Sequence, residues 1–583
     1  MDKSERQIMA ELMEASKNLH GSSSRMIKGK PHERKKELKI VYSRREAETP
    51  FAENPYGAGK LKAEPPDIYG AFSLERFADA GALSSTHEDA QGWLDYLAKF
   101  HQRNFWYKDE NVKIWAYYED YDNWQDTYGM DAVLAVYHSG HGGMSADGVF
   151  RVPLGADWGG LGTRAYSDKM RLGNEQVNYV FWSTCVSCRV LDGHSPYRTW
   201  KTANKGFRML FGFETNSTDS PDYGANFWKK WKGGSSFSTA WMDGSWDISH
   251  HQAPSVVACG STAAEAKDRV FNEGMNNGKL EWAHVSSNYW HWRWYYAATA
   301  ANALRDPSRS LPEDLLVAEL GLQEVDERYV LDVIERHGVD IELPGEVKAS
   351  QEGIFYIRDG DQRAAFDGDG SYEVHMASAN LDNKSQISIG RARSIASESL
   401  RRFGLRRNAD LTFDRVRLEA EAGVNSKDSR ETYGPFVTQT TVQFRQLING
   451  LPVITPSAGT VRVSVDNDGT VTAMQSSIAP VERLSDRPKN TTSAPNEEGS
   501  LSRARAKGED DLERMFLGEW RRLLTQFVLR GGVPSQYSLV PGSTEIGYDI
   551  RGNTAILVAQ REIEVDFGDG FFKRYKLVVP IVE

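Results

Sequence analysis

The chain has 583 residues, of which 40% are apolar and 26% charged, with a net charge of -11. That length exceeds one hydrophobic core and predicts two to four domains of ordinary soluble composition. The acidic balance argues against nucleic-acid binding, and no run approaches the ~20 apolar residues of a membrane span.

Three cysteines, Cys185, Cys188 and Cys259, are too few for a disulfide framework and fit a reducing compartment. Met1 to Arg6 leads into polar sequence without the apolar core of a secretory signal. The expectation is a cytoplasmic chain, with export by a non-classical route left open.

Residues 1–66 are polar, carry a basic patch over Arg34 to Arg45, close with Pro65-Pro66 and read as a loose arm. Tyr69 to Leu74 is the first candidate strand. Ser85 with Glu88 is a candidate capping box for a helix carrying Trp93, Leu97 and Phe100 on one face. Val112 to Tyr117 is the next candidate strand. Apolar runs at Ala132–Tyr137, Val177–Trp182, Phe207–Phe213 and Ser255–Cys259 complete about six, with Phe227 to Trp246 a helix-bearing connection. Gly260 to Glu265 reads as a strand-to-helix turn with a hydroxyl cap. The aromatic run Tyr289 to Tyr296 reads as a helix packing its rings back on the sheet, in preference to a base-stacking surface.

Of 16 tryptophans, 15 lie between Trp93 and Trp294, so a new core begins beyond that point. Leu311 to His337 is charged and helical. Ile389, Ala392, Ala396, Leu400 and Phe403 keep helical spacing, with Gly404 at the stop. Val437–Leu447, the turn Asn449-Gly450, Gly459–Val465, the turn Asp466 to Gly469 and Thr470–Met474 make an α+β unit. Leu484 to Gly508 is a Ser/Pro/Asn-rich linker. A helix over Leu512 to Leu529 and strands over 544–550, 554–565 and 571–579 close the chain.

Two of the apolar runs end in reactive side chains. One leads into His138-Ser139-Gly140-His141-Gly142-Gly143, the other into Ser183-Thr184-Cys185. Neighbouring parallel strands deliver the residues beyond their ends to one carboxyl edge, so His141 and Cys185, 44 positions apart, are expected side by side. Cys185 would be the nucleophile and His141 its base, with the N–H groups of Gly142 and Cys185 as the oxyanion hole. A further reading makes Cys188 a redox or structural partner that would trap Cys185 as a disulfide and switch the nucleophile off. The rival is zinc, on His138, His141, Cys185 and Cys188, which strand alternation opposes because residues three apart on a strand face opposite ways. Calcium is allowed for without being indicated.

Tyr137-His138-Ser139-Gly140-His141-Gly142 and Ser183-Thr184-Cys185-Val186-Ser187-Cys188 resemble the strand ends of metacaspases. The same order recurs in caspases, legumains and gingipains. The resemblance covers about residues 69–280 and implies a His-Cys dyad on a caspase-like, mostly parallel sheet with helices on both faces. It departs at Ser183, where metacaspases carry an aspartate, so no preference for a basic residue carries over. Val442 to Val453, Val461 to Val465 and Asp468 to Val471 resemble the thermolysin propeptide and PepSY modules, which implies a chaperone or inhibitor of an attached peptidase.

The expected organisation is thus an arm over 1–66, a caspase-like peptidase over 67–305, a helical connector over 306–365, a PepSY-like α+β module over 366–482, a linker over 483–509 and an α+β segment over 510–583. The function expected is a cysteine endopeptidase acting on protein or peptide, with restraint by its C-terminal module as a further expectation, and without nucleic-acid or membrane partners. The alternative is a zinc-stabilised or catalytically inactive interaction protein on the same fold.

Overall fold

The computed structural model describes residues 68–99, 103–121, 124–275, 280–298, 316–321, 323–339, 354–485, 509–532 and 534–581. The expected arm over 1–66, Phe100 and most of the expected linker lie outside them.

The first half is built on β1 (Tyr69–Ser73), β2 (Phe105–Lys108), β3 (Ala135–Ser139), β4 (Tyr179–Ser183), β5 (Met209–Phe213), β6 (Pro254–Gly260) and β7 (Tyr289–Ala297). The first five run parallel in the order β2-β1-β3-β4-β5, and β6 and β7 continue antiparallel. Every residue of β1, β3, β4, β5 and β6 is buried, which is why these segments read as continuous apolar runs.

Helices α1 (Thr86–Leu97), α2 (Tyr223–Lys232), α3 (Phe237–Trp246) and α4 (Ala263–Asn272) cover one face, where Trp93, Phe227 and Trp241 pack on Tyr137, Phe181 and Phe211. As the sequence suggested, the Thr262 hydroxyl caps α4 by accepting from the Glu265 N–H. The helical cover expected on both faces is present on this one. Among the described residues the opposite face carries only short helical pieces, Ile114–Ala116, Trp124–Tyr128 and Pro196–Trp200, and is closed mainly by aromatic side chains, with Trp115, Trp124, Trp158 and Trp200 packed around Trp182 and Phe150.

Two local expectations fail for clear reasons. Residues Ile114–Ala116 form a 3-10 turn rather than a strand, because Phe105–Lys108 takes the place beside β1 and stacks Phe105 and Tyr107 near Phe72. The run Tyr289 to Tyr296 is strand β7, not a helix. Its aromatics alternate with period two: Trp290, Trp292 and Trp294 enter one core, while Tyr295 enters the core across the sheet.

β7 is also the joint of the molecule. The second half contains β8 (Ile354–Asp359), β9 (Gln362–Asp367), β10 (Tyr372–His375), α5 (Ile389–Arg402), β11 (Leu411–Asn425), β12 (Thr432–Ile448), β13 (Thr460–Asp466) and β14 (Val471–Ser476). β7 pairs with β11 from Tyr289↔Asn425 to Ala297↔Arg417, so the strands of both halves form one mixed, mostly antiparallel sheet. The expected helical connector holds a strand, Val317–Leu320, a helix, Glu327–His337, and the β8–β9 hairpin. Helix α5 lies where its spacing placed it, with Ala392, Ala396 and Leu400 in a core with Val442, Phe444 and Val463. Buried ion pairs tie the halves together: Arg417 to Asp243 at 2.7 Å and Arg462 to Asp247 at 2.7 Å.

The C-terminal part comprises α6 (Glu509–Leu529), β15 (Glu545–Arg551), β16 (Thr554–Asp566) and β17 (Phe572–Pro580). Its separate six-stranded sheet includes Val317–Leu320 and Val481–Ser485. Phe516, Trp520 and Phe527 of α6 pack on this sheet in a cluster that extends to Leu83 of the first half. Among the described residues no helix is long and apolar enough to cross a membrane.

Candidate functional site

β3 and β4 lie side by side in register, Ser139 opposite Ser183, so the segments leaving them emerge together at the carboxyl edge. His141 and Cys185 are both there and both fully buried. Asp89 of α1 braces the edge from behind. Its carboxylate accepts from Tyr137 Oη at 2.7 Å, Ser139 Oγ at 2.7 Å and the Gly224 N–H at 2.9 Å. Burial pushes this acid up to about 6, against the pull of those hydrogen bonds.

The orientation of His141 follows from one contact. Its Nε2 lies 2.9 Å from the carbonyl oxygen of Gly81. A carbonyl can only accept, so Nε2 carries the hydrogen and Nδ1 keeps its lone pair. Nδ1 is buried without a hydrogen-bond partner. The ring is held between Phe77 and Phe567, each with its centroid 4.9 Å away, with Phe571 at 6.0 Å. Burial lowers its pKa to about 3, and the Lys573 ammonium adds to that fall. The imidazole is therefore neutral, as a base must be before it accepts a proton.

Cys185 Sγ accepts from the Ser217 N–H at 3.2 Å and donates to the carbonyl oxygen of Phe572 at 3.0 Å. No hydrogen bond joins it directly to His141. Gly142 lies so close beneath that a Cβ there would come within 2.5 Å of the Cys185 carbonyl oxygen and 2.9 Å of Thr184 Cβ. With Phe150 at 2.8 Å as well, local packing requires a bare backbone at that position.

The other sequence candidates fall elsewhere. His138, on β3 itself, turns into the opposite core, where Nδ1 meets Tyr117 Oη at 2.9 Å and the ring stacks near Trp182. Burial, with a lesser effect from Lys573, lowers it to about 3. Cys188 is a core side chain whose thiol burial raises to about 12. All three cysteines are free thiols. Among the described residues no three His, Cys, Asp or Glu side chains converge as metal ligands. The alternative zinc set His138, His141, Cys185 and Cys188 is not assembled: only His138 lies on a strand, and it and Cys188 turn into the core around Trp182, while His141 and Cys185 stay at the sheet edge.

Several residues of the site carried no signal in the sequence. Gly81, which anchors the imidazole, sits in an ordinary Ala-Gly-Ala-Leu stretch. The C-terminal hairpin is the larger omission. β16 and β17 are joined by a turn that lies over the dyad. Arg574 N–H donates to the Ser217 carbonyl at 3.1 Å, and the Asp219 N–H donates to the Arg574 carbonyl at 2.8 Å, a parallel bridge centred on Thr218. Lys573, 2% exposed, places Nζ 3.1 Å from Ser217 Oγ and 3.4 Å from the Gly140 carbonyl. Arg164 binds the Asp569 carboxylate at 2.8 Å, and Arg151 reaches the Asp569 carbonyl.

Residues 71–294, from β1 to β7, match the family model of a domain of unknown function, DUF6345. No curated protein matches the chain.

Proposed function

We propose that the chain is a cysteine endopeptidase on a caspase-like fold, hydrolysing peptide bonds through the dyad of Cys185 and His141. The observation that carries this reading is the anchoring of His141 Nε2–H on the Gly81 carbonyl. It sets the tautomer with the hydrogen on Nε2 and leaves Nδ1 without a hydrogen-bond partner at the edge that also holds the Cys185 sulfur, whose hydrogen goes to the Phe572 carbonyl in this state; a nucleophile, a base and an orienting group are thus gathered at one edge. The parallel neighbours β3 and β4, each ending in one member of the dyad, support the caspase-like assignment. In the first step Nδ1 takes the thiol proton as sulfur attacks a peptide carbonyl carbon. The N–H groups of Gly142 and Cys185 face the developing oxyanion. The proton then passes to the leaving amine, and water hydrolyses the thioester with His141 again as base.

The test is cleavage of a mixed peptide library by the full chain and by an Arg164→Ala/Asp569→Ala variant with a loosened hairpin. Cleavage that disappears with Cys185→Ala and with His141→Ala is expected. Its absence from both forms would overturn the proposal and leave a catalytically inactive interaction protein on this fold.

A further inference from the structure

Ser217 to Asp219 follows β5, beside the nucleophile, and its main chain already takes part in an isolated parallel β-bridge, Thr218 to Arg574. Ser217 spends its N–H on Cys185 Sγ and its carbonyl on Arg574, while Asp219 gives its N–H to the Arg574 carbonyl. The segment is held rigid from behind. The Asp219 carboxylate accepts from the Ser84 N–H at 2.9 Å and the Ser84 hydroxyl at 2.8 Å, and the Thr218 N–H donates to Tyr223 Oη at 3.1 Å. A fixed strand edge beside a nucleophile is a surface for an extended peptide, which supplies main-chain hydrogen bonds to the edge and side chains to the flanking pockets.

We infer that Ser217–Asp219 is the edge on which an extended peptide backbone docks, and that the β17 segment Phe572–Arg574 now occupies it in the place of that peptide. This rests on the peptidase reading above. Three features of the occupying strand mark it as an occupant that is not itself consumed. The Phe572 carbonyl presents its oxygen, not its carbon, to Cys185 Sγ and accepts the thiol hydrogen there. Phe567 and Phe571 enclose the His141 ring, so the base is shut away from water and substrate together. Lys573 buries its ammonium against a hydroxyl and a carbonyl, with no carboxylate in ion-pair contact with it among the described residues. A buried cation with only neutral acceptors is an unfavourable arrangement, so the docked strand is held by its neighbours rather than by its own side chain. On the outside, the Asp569 turn is fastened by Arg151 and Arg164. Opening the site requires this turn to be lifted and β17 to leave the edge.

The experiment is alkylation of the three cysteines of the full chain by iodoacetamide, followed by mass spectrometry. Cys188 and Cys259 lie in the core and report unfolding within the same sample. In the wild type Cys185 is expected to react slowly. In Arg164→Ala/Asp569→Ala, and in Lys573→Glu, it is expected to react at least tenfold faster while Cys188 and Cys259 stay protected. A synthetic peptide of residues 566–580, added to the opened variants, is expected to restore protection. Cys185 reacting equally fast in the wild type and in folded variants would overturn the inference, as would a peptide that gives no protection. Protection as expected, with no library cleavage, would remove the peptidase reading and leave the docking edge. Cleavage with no protection by the peptide would do the reverse.

Discussion

The carbonyl oxygen of Phe572 lies 3.0 Å from the sulfur of Cys185, two residues 387 positions apart in the chain. Around this contact the two ends of the described structure meet: Gly81 and Phe77 from before α1, Phe567 and Phe571 from the C-terminal hairpin, all against His141.

Gly81 makes this contact unusually sensitive to one methyl group. A Cβ at position 81 would fall 1.9 Å from Phe567 Cδ1. Gly81→Ala is therefore expected to evict the Phe567 ring and loosen the hairpin, so that Cys185 alkylation accelerates while Cys188 and Cys259 stay protected. An unchanged rate for Cys185 would show that the ring does not hold the hairpin down.

Gly142 has the opposite role, since its crowding lies inside the site. Gly142→Ala would press a methyl group on the Cys185 carbonyl and on Thr184. In a hairpin-opened background, kcat for peptide cleavage is expected to fall roughly 10²–10³-fold, the loss typical of a spoiled oxyanion donor. KM should change little, which steady-state kinetics would check.

Acid should open the site. The His141 imidazole is depressed from its usual 6.5 to about 3 by burial and then by Lys573, and the other groups facing it are the Gly81 and Phe572 carbonyls. With the hairpin docked, His141 stays neutral down to about pH 3. With the hairpin withdrawn, Phe567, Phe571 and Lys573 leave it, and the ring takes a proton nearer its usual value. The open state thus binds more protons between those limits, and the docked state loses stability as pH falls through that window. Cys185 alkylation, corrected for thiolate content with a model thiol, should rise relative to that thiol from pH 7 to pH 5. A constant ratio would contradict the linkage.

Cys188 separates packing from chemistry. It lies in the core with its thiol raised by burial, away from the Cys185 contacts. Cys188→Ala is expected to lower stability by about 1 kcal/mol, as a small core truncation does, while leaving the Cys185 alkylation rate unchanged. A change in that rate would reinstate a redox partnership.

The C-terminal sheet is fixed to the second half by a buried guanidinium. Arg445, 1% exposed, reaches Asp414 at 2.9 Å and Glu545 on β15 at 3.1 Å. Arg445→Ala leaves Asp414 and Glu545 to the neighbouring Arg415, 3.0 and 3.5 Å away, and is expected to cost about 1–3 kcal/mol in denaturant unfolding, less than a fully uncompensated buried charge. Glu545→Gln, which keeps a hydrogen-bond acceptor, should cost less.

The local features were legible in the sequence. The runs ending in His141 and Cys185 could be read because a fully buried parallel strand leaves an apolar segment with abrupt polar ends, and adjacency of β3 and β4 then brought the two residues to one edge. The helix over Ile389–Arg402 and the turns at Asn449-Gly450 and Asp466 to Gly469 were equally readable from spacing and turn chemistry. The strand at Tyr289–Ala297 was not, because a run of large aromatics carries little hydrophobic period. Its face alternation emerges only once cores exist on both sides. Nothing near Phe572 or Lys573 announces that they cover the dyad, since that depends on how two sheets meet. Ser183, read as a departure from the metacaspase pattern, hydrogen-bonds to the buried Asp89 carboxylate, a partner 94 positions away that the sequence did not announce.

Strand β7 has a consequence for dissecting the molecule. Because Tyr289–Ala297 is bonded to β6 on one side and β11 on the other, removing the second half would lay bare nine residues of unpaired backbone along a tryptophan-rich strand. Such an edge invites pairing between copies. A fragment ending after β7 should therefore be recovered as aggregates unless its new border is blunted by charge or proline. The hydrogen-bonded seam thus serves two ends at once, joining the halves and satisfying a backbone edge that either half alone would expose.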